Sequence, residues 1–179
     1  MRSVPRSVAG GLAAAALAAG GCSGRLPPPP EQPIVFSHRI HAGKAGIGCT
    51  SCHGFAERGP VAGIPSMQRC EGCHKFVRED PASKVITAQI GVLRAILAQG
   101  TVIEWARVHR LPDHVYFTHE RHVAAGIRCQ ECHGEVEQME VMHQVSPLTM
   151  GWCIACHKRK IAEHPAGRAH LLDCWNCHK

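Results

Sequence analysis

A mostly irregular chain with short α-helices, little or no β structure, and a core built around bound groups more than around its own side chains is the fold class this sequence predicts. Three observations carry the expectation. Aromatic residues make up 4% of 179 positions, few for a protein core. The chain holds 11 cysteines and 14 histidines. Ten of those cysteines fall into one pattern, C-x-x-C-H, at Cys49 to His53, Cys70 to His74, Cys129 to His133, Cys153 to His157 and Cys174 to His178.

Each occurrence asks for the same chemistry. Two thiols at this spacing form thioethers to the vinyl groups of a haem, and the adjacent histidine binds its iron. The attachment residues are therefore Cys49, Cys52, Cys70, Cys73, Cys129, Cys132, Cys153, Cys156, Cys174 and Cys177, and the proximal ligands are His53, His74, His133, His157 and His178. Zinc ribbons and disulfide scaffolds also use paired cysteines. Neither requires a histidine directly after each second cysteine, which happens here in every case. Five covalently bound haem c groups are expected, and their planar apolar bodies replace the missing aromatic residues. The length allows one domain or two small ones.

The formal charge of +6 omits the cofactors. Ten propionates and about five ferric charges bring the oxidised holoprotein near +1. A nucleic-acid partner is not expected, and the run His157-Lys158-Arg159-Lys160 reads as neutralising propionates or as a solvated face.

Residues 1–21 carry Arg2 and Arg6 ahead of an alanine- and glycine-rich run and resemble a secretory signal peptide of lipoprotein type. Haem attachment of this kind takes place outside the cytoplasm, so export is what the motifs demand. The leftover cysteine, Cys22, follows Ala19-Gly20-Gly21 and is a candidate for lipid attachment. A simple cleaved signal and an uncleaved anchor are the alternatives. The expected location is the periplasmic face of a bacterial inner membrane, held there by the lipid. Residues 22–33 contain Pro27-Pro28-Pro29-Pro30 and read as a stiff tether.

Residues 34–54 and 115–134 are two copies of one unit. Phe36, His38, His41, Gly46, Ile47, Cys49, Cys52, His53 and Gly54 pair with Phe117, His119, His122, Gly126, Ile127, Cys129, Cys132, His133 and Gly134, the second copy being one residue shorter between histidine and cysteine. A second haem motif follows each copy, preceded by a methionine (Met67, Met150) and by a nearby proline (Pro65, Pro147). The chain thus divides into a first haem module at 34–80 with two haems, a connector at 81–114, and a second module at 115–179 with three. Within the connector, Lys84 to Gln99 has the apolar spacing of an amphipathic helix that Gly100 could end.

Five irons each want a sixth ligand. The duplicated F-x-H-x-x-H nominates His38, His41, His119 and His122 as distal ligands, with the two histidines of each copy reaching different haems. For the fifth, His109 is the first choice, with Met150, His143 and His164 as alternatives. Met67 reads as a packing residue, and Phe36 and Phe117 as residues stacked on haem.

The F-x-H-x-x-H plus C-x-x-C-H unit resembles the class III multihaem cytochromes, which implies their fold. A closer likeness lies in Trp105 to His157, where W-A-R-V-H-R-L-P-D-H-V-Y-F-T-H-E-R-H-V is followed by C-x-x-C-H-G-x-V-x-Q-M and S-P-L-T-M-G-W-C-x-x-C-H-K. This stretch is similar to the pentahaem subunit of alternative complex III, a bacterial quinol-oxidising membrane complex. The resemblance implies electron transfer from an iron-sulfur, molybdopterin-like subunit toward a cytochrome c or a terminal oxidase, with quinol chemistry left to membrane subunits. A free or lipid-anchored periplasmic electron shuttle is the alternative. An enzyme would need an iron with an open position, against which the surplus of free histidines argues.

Overall fold

A computed structural model of the chain describes residues 26–165 and 169–178. The expected signal peptide and Cys22 lie outside the described residues. Among the described residues the α-helices are α1 (Met67–His74), α2 (Lys84–Gln99), α3 (His119–Ala124), α4 (Gln130–His133) and α5 (Met150–Glu163), joined by irregular segments, 3₁₀ turns and one π-helical turn. Among the described residues there is no strand, only an isolated antiparallel bridge between Val115 and His178. The architecture is the helical and irregular one that the composition predicts.

Few side chains are buried. Among the described residues, the buried apolar ones are Ile34, Ala56, Ile90, Leu93, Ile103 and Met139. Ile34, Leu93 and Ile103 form a buried cluster, with Met67, Cys70, Ile96, Leu97 and Trp105 packed around it. Met67 thus packs against protein side chains in this cluster.

The connector helix α2 supplies that cluster. Ser83 caps its start, the hydroxyl accepting from the Ile86 N–H, and Gly100 ends it at φ 66, in the left-handed region that glycine enters without steric cost. The helix lies across the start of the first module: Gln89 accepts from the Val35 N–H at 2.9 Å, and α2 packs on α1. Just upstream, the Gln32 amide donates to the Ala106 carbonyl and accepts from the Ala106 N–H, both at 2.9 Å. The distal end of the expected tether is therefore fixed to the connector.

The two copies of the repeat differ where their lengths differ. After His119 the second copy forms the ordinary helix α3, whereas after His38 the first copy forms a π-helical turn, Arg39–Lys44. A wider turn absorbs one additional residue without displacing the haem motif beyond it, and both copies then reach glycine at positive φ, Gly46 and Gly126.

The copies also clasp each other reciprocally. The Arg39 N–H donates to the Met139 carbonyl, just after the second copy's haem motif, and Arg39 pairs with Glu140. In return, the His119 and Glu120 N–H groups donate to the Pro60 and Gly59 carbonyls, just after the first copy's motif. Gly43 sits where any Cβ would strike the Glu137 carbonyl oxygen, so glycine is needed for the first of these contacts. The C-terminal segment closes onto the start of the second copy, with the Tyr116 N–H donating to the Cys177 carbonyl at 2.8 Å.

Candidate haem-binding sites

The local geometry of C-x-x-C-H explains its residue types. On a helical turn, positions one, four and five of the motif share a face. In α1 and α5 the motif is helical throughout, and in the three others the histidine N–H closes on the carbonyl of the first cysteine at 2.9–3.0 Å (His53 on Cys49, His133 on Cys129, His178 on Cys174). None of the ten motif cysteines is paired in a disulfide. All ten also line one continuous cavity of about 3950 Å³.

The thiols lie close enough to feel one another. Burial, and behind it the neighbouring Cys52, raises the pKa of Cys70. Burial with Cys49 raises Cys129, burial with Cys156 and Cys153 raises Cys132, and burial with Cys177 raises Cys153. The motifs therefore follow one another through the cavity as Cys70–His74, Cys49–His53, Cys129–His133, Cys153–His157 and Cys174–His178.

Each motif histidine faces a second imidazole. Ring centroids are 6.5 Å apart for His38 and His53, 6.1 Å for His41 and His74, 6.3 Å for His119 and His133, 6.2 Å for His122 and His157, and 5.6 Å for His114 and His178. A metal between two imidazoles needs two bonds of about 2.0 Å plus roughly 1 Å of ring at each end, or about 6 Å between centroids. The spacing fits an iron in every pair. In both copies the first histidine faces the copy's own first motif and the second faces the following motif.

The rings are held for this task. Nδ1–H of His53 donates to the Gly63 carbonyl at 2.7 Å, His74 to Val77 at 3.0 Å, His157 to Leu171 at 2.9 Å and His178 to His114 at 3.2 Å. Likewise His41 donates to Ser37, His119 to Pro60 and His122 to Thr118, each at 2.8 Å. These bonds fix the tautomer and leave Nε2 with its lone pair available to a metal. His38 differs, its Nδ1 being buried without a partner in the protein. Burial, and after it His53 and His41, lowers the His38 pKa to about 4. Burial, then His109, His119 and His53, does the same for His133. Neutral imidazole is the form a metal requires.

Phe36 stacks on His41 at 4.3 Å and meets His38 edge-on at 4.9 Å, and Phe117 repeats this with His122 at 4.6 Å and His119 at 4.8 Å. The geometry common to both copies is thus a phenylalanine wedged between two histidines. These rings buttress the imidazoles that the repeat nominates as ligands.

His109 lies beside His133 and is not in one of the five pairs spaced near 6 Å. Its ring meets His133 at right angles, 4.5 Å between centroids, with His109 Nε2 3.3 Å from His133 Nδ1. Two in-line bonds of about 2 Å would need about 4 Å between nitrogens. Of the alternatives, Met150 lines the cavity and is 64% exposed, and His143 and His164 are exposed and do not line it. The ring facing His178 is that of His114, which the sequence reading did not nominate because nothing local ties it to a motif 64 positions away.

The geometry and the motifs agree with comparison to known proteins. Residues 115–179 match the family model described as cytochrome c7 and related cytochrome c, and the chain belongs to the multihaem cytochromes c, which carry haem c covalently. A relative from Nitratidesulfovibrio vulgaris is described as menaquinone reductase, multiheme cytochrome c subunit. It is 36% identical over 151 residues, which span 83% of this chain and 68% of the relative.

Proposed function

We propose that the chain is the pentahaem electron-transfer subunit of a membrane quinone oxidoreductase complex of the alternative complex III type. The observation that carries this reading is the set of five facing imidazole pairs strung through one cavity. His38 with His53, His41 with His74, His119 with His133, His122 with His157 and His114 with His178 hold one haem each, and the ten motif cysteines attach them. His114 takes the place for which sequence order favoured His109.

Haem bound in these sites supplies one-electron storage at potentials set by its ligands. The chain supplies spacing and ligation. Because the two histidines of each F-x-H-x-x-H serve successive sites, each copy ties two haems together, and the reciprocal clasp between copies joins the first haem of one to the first haem of the other. Numbered along the sequence, the sites run 2, 1, 3, 4, 5, with the helical connector α2 behind the first end and the C-terminal segment closing the other. With both axial positions filled from the chain, the subunit carries electrons and leaves substrate chemistry to its partners.

The partners in this reading are an iron-sulfur, molybdopterin-like subunit, quinone-reactive membrane subunits, and a cytochrome c or oxidase. Support comes from the likeness of residues 105–157 to the alternative complex III subunit and from the relative being a subunit of a menaquinone reductase. Covalent haem places the subunit outside the cytoplasm. Among the described residues no helix is long and apolar enough to cross a membrane, and attachment through a lipid on Cys22 is the proposed anchor.

Two measurements on the complex purified through this subunit test the reading. Intact mass is expected to show five haems on the chain, and menaquinol is expected to reduce them in the complex but not in the separated subunit. Fewer than five haems, or a complex without quinone-reactive membrane subunits, would overturn it.

A further inference from the structure

The five motif histidines share a supporting arrangement with one departure. Four of them donate Nδ1–H to a backbone carbonyl, those of Gly63, Val77, Leu171 and His114. His133 instead directs Nδ1 at the side chain of His109, 3.3 Å away. The departure is sharpest within the repeat, because His53 and His133 occupy equivalent positions in the two copies. One leans on the main chain and the other on a side chain 24 positions upstream. His133 also belongs to the central site of the file, the one that connects the two modules.

We propose that His109 is a positioning residue for the haem ligand His133, its Nε2 accepting the Nδ1–H of His133 and so fixing the tautomer, the ring plane and the electron donation of that ligand. The proposal rests on the haem-ligand reading above. A carbonyl oxygen is part of the backbone and cannot be changed by substitution, whereas an imidazole acceptor can. The hydrogen bond from Nδ1–H makes the ligand more basic and favours the ferric form of the iron. Its removal therefore shifts the midpoint potential of haem 3 upward. The nitrogen lone pair of His109 that accepts this bond is not available to an iron, and the 3.3 Å separation leaves no room for one.

The variants are H109F, which keeps an aromatic ring and removes the acceptor, and H109Q, which restores an acceptor. Each is read by intact mass, by EPR and by spectroelectrochemical titration of all haems. The expected result for H109F is five haems, all low-spin, with one midpoint shifted upward and the other four unchanged, and a return toward the wild-type midpoint in H109Q. A high-spin haem in H109F would show His109 to be an axial ligand and overturn the proposal. So would an H109F titration superimposable on wild type. Should both variants lose haem, ¹⁵N NMR of the reduced wild-type protein decides: a through-bond coupling between His133 Nδ1 and a second imidazole nitrogen is expected, and its absence overturns the proposal. A failure of the ligand reading itself would look different, as high-spin or missing haem in the unsubstituted protein.

Discussion

Truncating His114 to alanine discriminates most sharply between the structural assignment and the order of residues along the chain. His114 and His178 face each other at 5.6 Å with ring planes 23° apart. Alanine keeps the backbone at position 114, so the substitution takes away only the imidazole beyond Cβ. The anchor on the opposite ring survives, because His178 Nδ1–H donates to the backbone carbonyl of His114, which alanine retains. The bridge from Val115 to His178 and the bond from the Tyr116 N–H to the Cys177 carbonyl keep the segments together. The substitution therefore removes one axial ligand and little else. Of the five motif sites, one loses its distal ring, so one fifth of the haem iron becomes high-spin and about one cyanide binds per chain, against none in the parent. EPR spin integration and cyanide titration on protein of verified haem content read both numbers. The H109A variant, assayed alongside, remains fully low-spin. Full low-spin character in H114A, or one high-spin haem in H109A, would refute the pairing of His114 with His178.

Other expectations rest on the same geometry. Replacing Cys174 and Cys177 by serine removes one haem's mass from the chain and leaves the remaining four attached, since the site stands at one end of the file; loss of a second haem would show the sites to be interdependent. Leu93→Ala, at a residue 6% exposed in the cluster with Ile34 and Ile103, lowers unfolding stability by about 2–5 kcal/mol. Val85→Ala on the 67% exposed side of the same helix stays within about 0.5 kcal/mol. Gly43→Ala drives a Cβ into the Glu137 carbonyl and costs about 1–3 kcal/mol, with the clasp between the copies loosening first in hydrogen exchange at Arg39. An unchanged exchange rate there would argue against the clasp.

The attachment motifs, the repeat and helix α2 were legible in the residues because each is a local pattern. Cys-x-x-Cys-His needs one turn of chain to put three groups on a face, and α2 shows its apolar spacing and its stop signal, Gly100, in the sequence itself. The duplicated F-x-H-x-x-H pointed to His38, His41, His119 and His122 for the same reason, since a unit that occurs twice interprets itself. The π-helical turn at Arg39–Lys44 was foreshadowed by the one-residue difference between copies, although only the fold shows how the extra residue is absorbed.

Every pairing that crosses the chain needed the tertiary structure. His114 and His178 are 64 positions apart and come together because the C-terminal segment folds back beside Val115. The fifth motif has no counterpart in the repeat, so nothing local says which histidine it meets. His109 looked like the better ligand by its place in the sequence, and in space it stands behind His133. The contacts of the phenylalanines with both histidines of their own unit, His38 and His41 or His119 and His122, likewise became visible only in the fold. Covalent attachment is written in neighbouring residues and is decided by the sequence alone. Axial ligation from the far side is a long-range contact, and long-range contacts are chosen by how the modules clasp.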